Sequence, residues 1–168
     1  AYRMMFITNH DENSWNGTIA ERLGANSDAM AVLAGTLIGM PLVYSGQEAG
    51  MAKRMRFFEK DTVPWGNYSK TQMYRTIYTL NHENQALWNG TMGGQPEFYS
   101  IDSDVALAWK RSAGSNDVVV AVNLGDANAN MKLDLDGSFT AAWGEITPDS
   151  IMMIPGHSAA VWTRNRTK

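Results

Sequence analysis

Two hydrophobic periodicities divide the chain. Up to about Asn89, short apolar runs alternate with helical stretches. Met4 to Thr8 (MMFIT) and Pro41 to Ser45 (PLVYS) are runs of the kind that a strand buried on both faces requires. Between them Ser27 or Asp28 can cap a helix through AMAVLAGTLI, whose end is marked by Gly39 and Pro41. Two buried strands joined by a helix predict a βαβ unit with parallel strands and a right-handed crossover. A second helix, TQMYRTIYTLNHEN, places Met73, Ile77 and Leu80 on one face.

From about Phe98 the helical period disappears. Met131, Leu133 and Leu135 alternate with Lys132, Asp134 and Asp136, which predicts a half-buried strand. VALAW, VVVAVNL, SIMMI and AAVWT read as further short strands. The gaps RSAGSND, GDANAN and PGHS carry turn chemistry. Strands at this spacing predict an antiparallel sandwich. The expected organisation is therefore an α/β region over residues 1–90 followed by an all-β region over 91–168.

Composition narrows the function classes. With 168 residues, 44% of them apolar and 18% charged, the chain can bury a real core and is not a disordered segment. A net charge of −3 gives no basic stripe for a nucleic-acid partner. The one basic cluster, Lys53, Arg54 and Arg56, reads as a solvated loop. There is no cysteine, which excludes a disulfide framework and thiolate chemistry but leaves the compartment open. No apolar run is long enough for a transmembrane helix, so no membrane partner is expected. The start, AYRMMF, has neither initiator Met nor signal-peptide pattern and suggests a piece of a longer polypeptide.

Chemistry is expected where the first strand ends. In parallel α/β architectures ligands sit beyond the carboxyl ends of the strands, where Asn9, His10 and Asp11 lie. The connection that follows, ENSWNGTIAERLGANS, is longer than a usual βα loop, though TIAERL can hold a helical turn. Long loops of this type shape sites.

FITNHDE, Phe6 to Glu12, resembles the fourth signature segment of the α-amylase family of glycoside hydrolases, in which the seventh barrel strand ends in Asn-His-Asp. GMPLVYSGQEAG is similar to the family's eighth strand and exit loop, with Gly39, Pro41, Tyr44, Gly46 and Glu48 on the recurrent positions. The helix with LNHENQAL looks like the last barrel helix, which runs into a C-terminal sandwich. What the resemblance implies is α/β plus all-β: the last two βα units of a (β/α)8 TIM barrel over residues 1–90, then an antiparallel Greek-key β-sandwich over 91–168.

For function, the resemblance implies a retaining glycosidase acting on α-glucans such as starch and maltooligosaccharides. Such an enzyme uses a nucleophile and an acid/base carboxyl, about 5–5.5 Å apart. Asp11 would be the third carboxylate, gripping sugar hydroxyls and favouring the distorted ring. His10, with Asn9, would bind hydroxyls of the same sugar, and Trp15 would offer a stacking face. In the family the nucleophile, the acid/base and an Arg beside the nucleophile lie upstream of the seventh strand. A whole barrel takes about 250 residues. The resemblance therefore implies a chain that is inactive alone and whose partners are an α-glucan and the N-terminal part of its own barrel, with self-association through exposed strands as another outcome. It implies no cofactor or metal in this chain, and it leaves room for calcium in the complete enzyme, held mainly by an upstream insertion.

Blander readings stand beside these. Asn9 to Glu12 could be a polar strand end capping the next turn, and Trp15 a packing residue of its loop. Glu48 could touch substrate but reads better as a structural hydrogen-bonding group, and Tyr44 reads as core. His10 next to two carboxylates could suggest a metal site, but adjacent residues in an extended segment point to opposite faces and cannot easily share one ion. A different class, a carbohydrate-binding or interaction module, would need Trp88, Trp109, Trp143 and Trp162 in a flat exposed patch. The alternation around Trp109 and Trp162 favours the core instead.

Overall fold

Strand β1 (Met4–Met5) pairs in parallel with β2 (Met40–Pro41), Met4 opposite Met40 and Met5 opposite Pro41. The N–H groups of Met40 and Leu42 donate to the carbonyls of Arg3 and Met5, both at 2.9 Å. Gly39 makes this approach feasible: its φ is +143°, and a Cβ there would lie 2.7 Å from the Arg3 carbonyl oxygen. The Asn89 side chain brackets Gly39, donating to its carbonyl (2.9 Å) and accepting from its N–H (3.0 Å). This computed structural model describes residues 2–66, 68–133 and 135–166.

Both strands are shorter than the apolar runs predict. No third strand flanks either among the described residues, so the ladder stops after two residues. The chain turns at Tyr44, whose carbonyl accepts from the Gln47 N–H at 3.0 Å. Burial on both faces also fails: Met4, Phe6 and Met40 are exposed, while Ile7 and Thr8 are buried. The parallel region is thus one βαβ unit without a closed barrel.

The crossover contains α1 (Ile19–Leu23) and α2 (Ser27–Thr36). Thr18 and Glu21 form a reciprocal capping box at α1, which bears out the helical turn expected in TIAERL. Neither Ser27 nor Asp28 caps α2. Asn26 holds that position, and its side chain is used elsewhere: its amide donates to the Leu124 carbonyl at 3.1 Å. Helix α3 (Thr71–Glu83) buries Met73, Tyr74 and Ile77, with Leu80 packed against the same core, as the periodicity predicts.

Among the described residues seven further strands follow: β3 (Glu97–Phe98), β4 (Ala106–Ala113), β5 (Asn116–Asn123), β6 (Ala129–Lys132), β7 (Thr140–Trp143), β8 (Ile151–Ile154) and β9 (Ser158–Asn165). They make an antiparallel sheet in the order β3-β4-β5-β9-β7 and a two-stranded antiparallel layer, β6-β8. In β5, Val118, Val120 and Val122 pack towards α2 and α3, while Val119 and Ala121 pack towards Met131, Met152 and Ile154. Covering both faces explains the uninterrupted VVVAV run. Met131, Leu133 and Leu135 are buried and Lys132 and Asp136 exposed, as expected; Asp134 lies outside the described residues. RSAGSND is not a loop. Only Gly114 and Ser115 turn, and Arg111 and Asp117 are buried within strands.

Candidate functional site

Beyond Thr8 the backbone does not stay extended but coils at once. Asn9 Oδ1 accepts from the Glu12 N–H at 2.8 Å, and the Asn9 carbonyl accepts from Asn13 N–H at 2.9 Å. Asn9 thus starts the turn in the manner of an N-cap. His10 and Asp11 are helical, and Glu12–Asn16 forms a π-helical turn closed by Gly17 N–H on the Glu12 carbonyl at 2.9 Å. Short π segments recur at functional sites because the extra residue re-aims side chains.

The turn sorts the polar residues into two sets. Glu12 pairs with Arg22 Nη2 at 2.9 Å and accepts from Asn16 at 3.0 Å, and Arg22 Nη1 donates to the Ile7 carbonyl at 3.1 Å. Asn13 is buried and acts like a ladder rung, donating to the Lys53 carbonyl (3.0 Å) and accepting from the Met55 N–H (2.7 Å). His10 and Asp11 remain open to solvent, with side chains 66% and 59% exposed. Their closest approach is 3.5 Å, Nε2 to Oδ2. The helical backbone, which an extended reading would exclude, is what brings them together.

Trp15 is 56% exposed, yet it packs on neighbouring rings. Its ring lies 5.0 Å from Phe57 and 6.1 Å from Phe58, and those two meet edge to face at 4.8 Å. The His10 ring is 5.9 Å from Phe57, so the aromatic surface runs directly into the His10–Asp11 pair. Phe57 and Phe58 went unrecognised in the sequence. The available signal was two adjacent aromatics in a charged stretch, RMRFFEKD, where no periodic strand or helix could bury them.

The basic cluster of that loop is not simply solvated. Lys53 pairs with Asp61, Arg54 with Glu21 at 3.0 Å, and Arg56 with Glu59 at 2.7 Å. Asp61 also accepts from the Arg56 and Thr62 N–H groups. Lys53 first, then those two amides, hold its carboxyl well below the usual range. Arg54 first, then the Thr18 N–H, bring Glu21 down to about 2.

Glu48 works through its main chain, whose carbonyl accepts from Lys70 N–H (3.1 Å) and Thr71 Oγ1 (3.2 Å). Its Oε2 is buried with no hydrogen-bond partner, as is Thr8 Oγ1, so the expected structural bond from the carboxylate does not form among the described residues. Tyr44 is half-buried beside Gln47. Trp109 and Trp162 are fully buried, Trp143 is half-buried and Trp88 exposed, so the four do not make a flat patch. Among the described residues no group of three or more His, Cys, Asp or Glu could hold a metal ion. No described helix is long and apolar enough to cross a membrane.

No protein-family model matches the sequence, and no curated protein sequence does. Solved structures do resemble it. A maltogenic α-amylase from Thermotoga neapolitana superposes with a TM-score of 0.73 at 15% identity, over 99% of this chain and 42% of its own. An α-amylase from Lactobacillus plantarum gives 0.73 at 16%, over 96% and 38%. A debranching enzyme from Nostoc punctiforme gives 0.71 at 19%, over 96% and 33%. The chain spans less than half the length of each, and what it shares with a part of them is the fold.

Proposed function

We propose that this chain supplies one wall of the active site of a retaining glycoside hydrolase acting on α-glucans. Asp11 is the carboxylate that grips sugar hydroxyls as the ring distorts, His10 is a second hydroxyl ligand, and Trp15 with Phe57 provides the stacking face. Asn9 serves this wall by fixing the turn. The carrying observation is the division of labour in the Asn9–Asn13 segment: Asn9, Glu12 and Asn13 are consumed by internal hydrogen bonds, while His10 and Asp11 stand exposed beside three clustered rings.

The nucleophile and the acid/base belong to a polypeptide that covers β1 and β2. Exposed Met4, Phe6 and Met40 and the unpaired buried atoms of Thr8 and Glu48 support such a partner. A second copy of the chain is the competing occupant.

Mutation in the complete enzyme tests the role of Asp11. A charge-assisted bond made only in the transition state lowers kcat and kcat/KM together. Asp11→Asn is therefore expected to depress kcat far more than it raises KM, and near-normal turnover would remove the assignment. His10→Ala is expected to be milder, since a neutral hydrogen bond contributes about 0.5–1.5 kcal/mol.

A further inference from the structure

A second concavity lies away from the Asp11 wall. It is a cleft of about 720 Å³ where the first turns of α2 and α3 meet the edge of the five-stranded sheet. Asp28 lines it from α2, Gln72 and Thr76 from one face of α3, Trp143 and Glu145 from the end of β7, and His157 from the turn before β9. None of the residues lining it belongs to the Asn9–Trp15 turn or to the Phe57–Phe58 pair.

Part of the lining is rigid and already satisfied. Both oxygens of Asp28 are held by Lys70 Nζ, at 2.8 and 2.7 Å. Both ring nitrogens of His157 are engaged, Nδ1 with Asn26 Oδ1 at 3.0 Å and Nε2 with Asp126 Oδ1 at 2.9 Å. The apolar part of the lining is shared with the core, on which Trp143 packs while half-buried; the remaining polar groups have no internal partner. Among the described residues, the side chains of Gln72, Thr76 and Glu145 make no hydrogen bond or ion pair, and the Trp143 indole N–H donates to nothing.

The backbone is bent to present these groups. Pairing of β7 with β9 shifts register between Ala141 and Trp143, an edge irregularity of the kind that re-aims a side chain. Glu145 and His157 have φ of +50° and +55°, two of the three non-glycine residues in the left-handed region among those described. Such outliers persist where surrounding structure enforces them and gather at binding sites.

We infer that this cleft is a second carbohydrate site, taking a short neutral α-glucan segment against Trp143, with Gln72, Thr76 and Glu145 as its hydroxyl partners. The inference rests on the α-glucan reading of the chain. The chemistry fits a polyol better than an ion: Lys70 neutralises Asp28, and an amide and a hydroxyl each both donate and accept, as sugar hydroxyls do. An indole adds an apolar face with a polar edge. The volume falls in the range of ligand pockets, roughly 300–1,000 Å³.

Titrating the 168-residue chain with maltoheptaose while following its six tryptophan indole N–H resonances by NMR tests this. The Trp143 resonance is expected to move saturably. In the double variant Gln72→Ala/Glu145→Gln, both exposed positions whose loss spares the core, the apparent Kd read at Trp143 should rise roughly fivefold to tenfold. Readings at Trp15 should not change with that variant. A Trp143 resonance that stays still, or one that moves with the same Kd in the double variant, overturns the second site. Movement at Trp15 alone would keep the Asp11 wall and discard the cleft; saturable movement at Trp143 that weakens in the double variant would establish the cleft, whatever Trp15 does, because the Asp11 wall is tested separately by Asp11→Asn in the complete enzyme.

Discussion

Arg111 Nη1 donates to the Thr36 carbonyl at 2.9 Å, so β4 of the five-stranded sheet closes the C-terminus of helix α2. The same guanidinium donates to the carbonyls of Leu37 (3.2 Å), Gly94 (2.8 Å) and Trp88 (2.7 Å), and it has no carboxylate partner among the described residues. Burial pushes its pKa down to about 10, which leaves it charged at neutral pH. Four carbonyls from three separate segments converge on one side chain and thereby fix the βαβ unit on the sheet.

Replacing that side chain tests how much of the assembly depends on it. Arg111→Met leaves buried acceptors unpaired, each costing about 1–3 kcal/mol. The variant is expected to lose roughly 3 kcal/mol or more in urea unfolding. Arg111→Lys keeps the charge but not the planar fork and should fall between. A midpoint unchanged in Arg111→Met would show that the carbonyls find other partners.

Glu21 gives a pH dependence of definite sign. Its folded pKa, about 2, lies below the ordinary value of 4.5, chiefly because of Arg54. The stabilisation is therefore fully present above about pH 4.5 and is lost as pH falls towards 2. The protection factors of the Thr18 and Glu21 amides, taken relative to intrinsic exchange at each pH, should fall across that window. Glu21→Gln should exchange fast already at pH 7 and match the parent near pH 2; equal protection at pH 7 would refute the coupling.

How far the sequence could be read depends on what each residue's neighbours are. β5 was legible because a sheet covered on both faces needs an unbroken apolar run. Arg111 was not, since a charged side chain at an inward position looks like turn chemistry until its four carbonyls are in place. His10 and Asp11 were legible as candidates, but their side-by-side placement depends on the helical turn that Asn9 starts, and an extended continuation of the strand hides it. Phe57 and Phe58 gain meaning only from Trp15, more than forty positions away, and no local pattern carries that distance.

Asn13 joins the loop that carries Phe57 and Phe58 to the turn that carries Trp15. Asn13→Ala removes both rungs and strands the Lys53 carbonyl and Met55 N–H, a loss of about 1–3 kcal/mol. Faster exchange at the Met55 amide and a freer Phe58 ring are expected. In the complete enzyme, KM for a long maltooligosaccharide should rise while kcat changes little, because the stacking face is displaced and Asp11 is not. An equal fall in kcat would place Asn13 closer to the chemistry than these contacts suggest.

The chain by itself is expected not to hydrolyse starch, maltooligosaccharides or an activated aryl α-glucoside. A retaining mechanism needs a nucleophile on one side of the anomeric carbon and a proton donor near the leaving oxygen. Asp11 would need a partner carboxyl about 5–5.5 Å away across the sugar. Glu12 is the nearest in sequence, but its carboxylate is committed to Arg22 at 2.9 Å and to Asn16. Glu48 lies in the turns that follow β2, and its Oε2 is buried. His10 and Asp11 stand in bulk water, where the charge stabilisation of an oxocarbenium ion is screened close to its value in solvent. Overnight incubation of the purified chain with the aryl glucoside should release no more aryl alcohol than buffer does. Activity that survives repurification and disappears in Glu48→Gln would show instead that Glu48 reaches the sugar and that the chain is an enzyme in its own right.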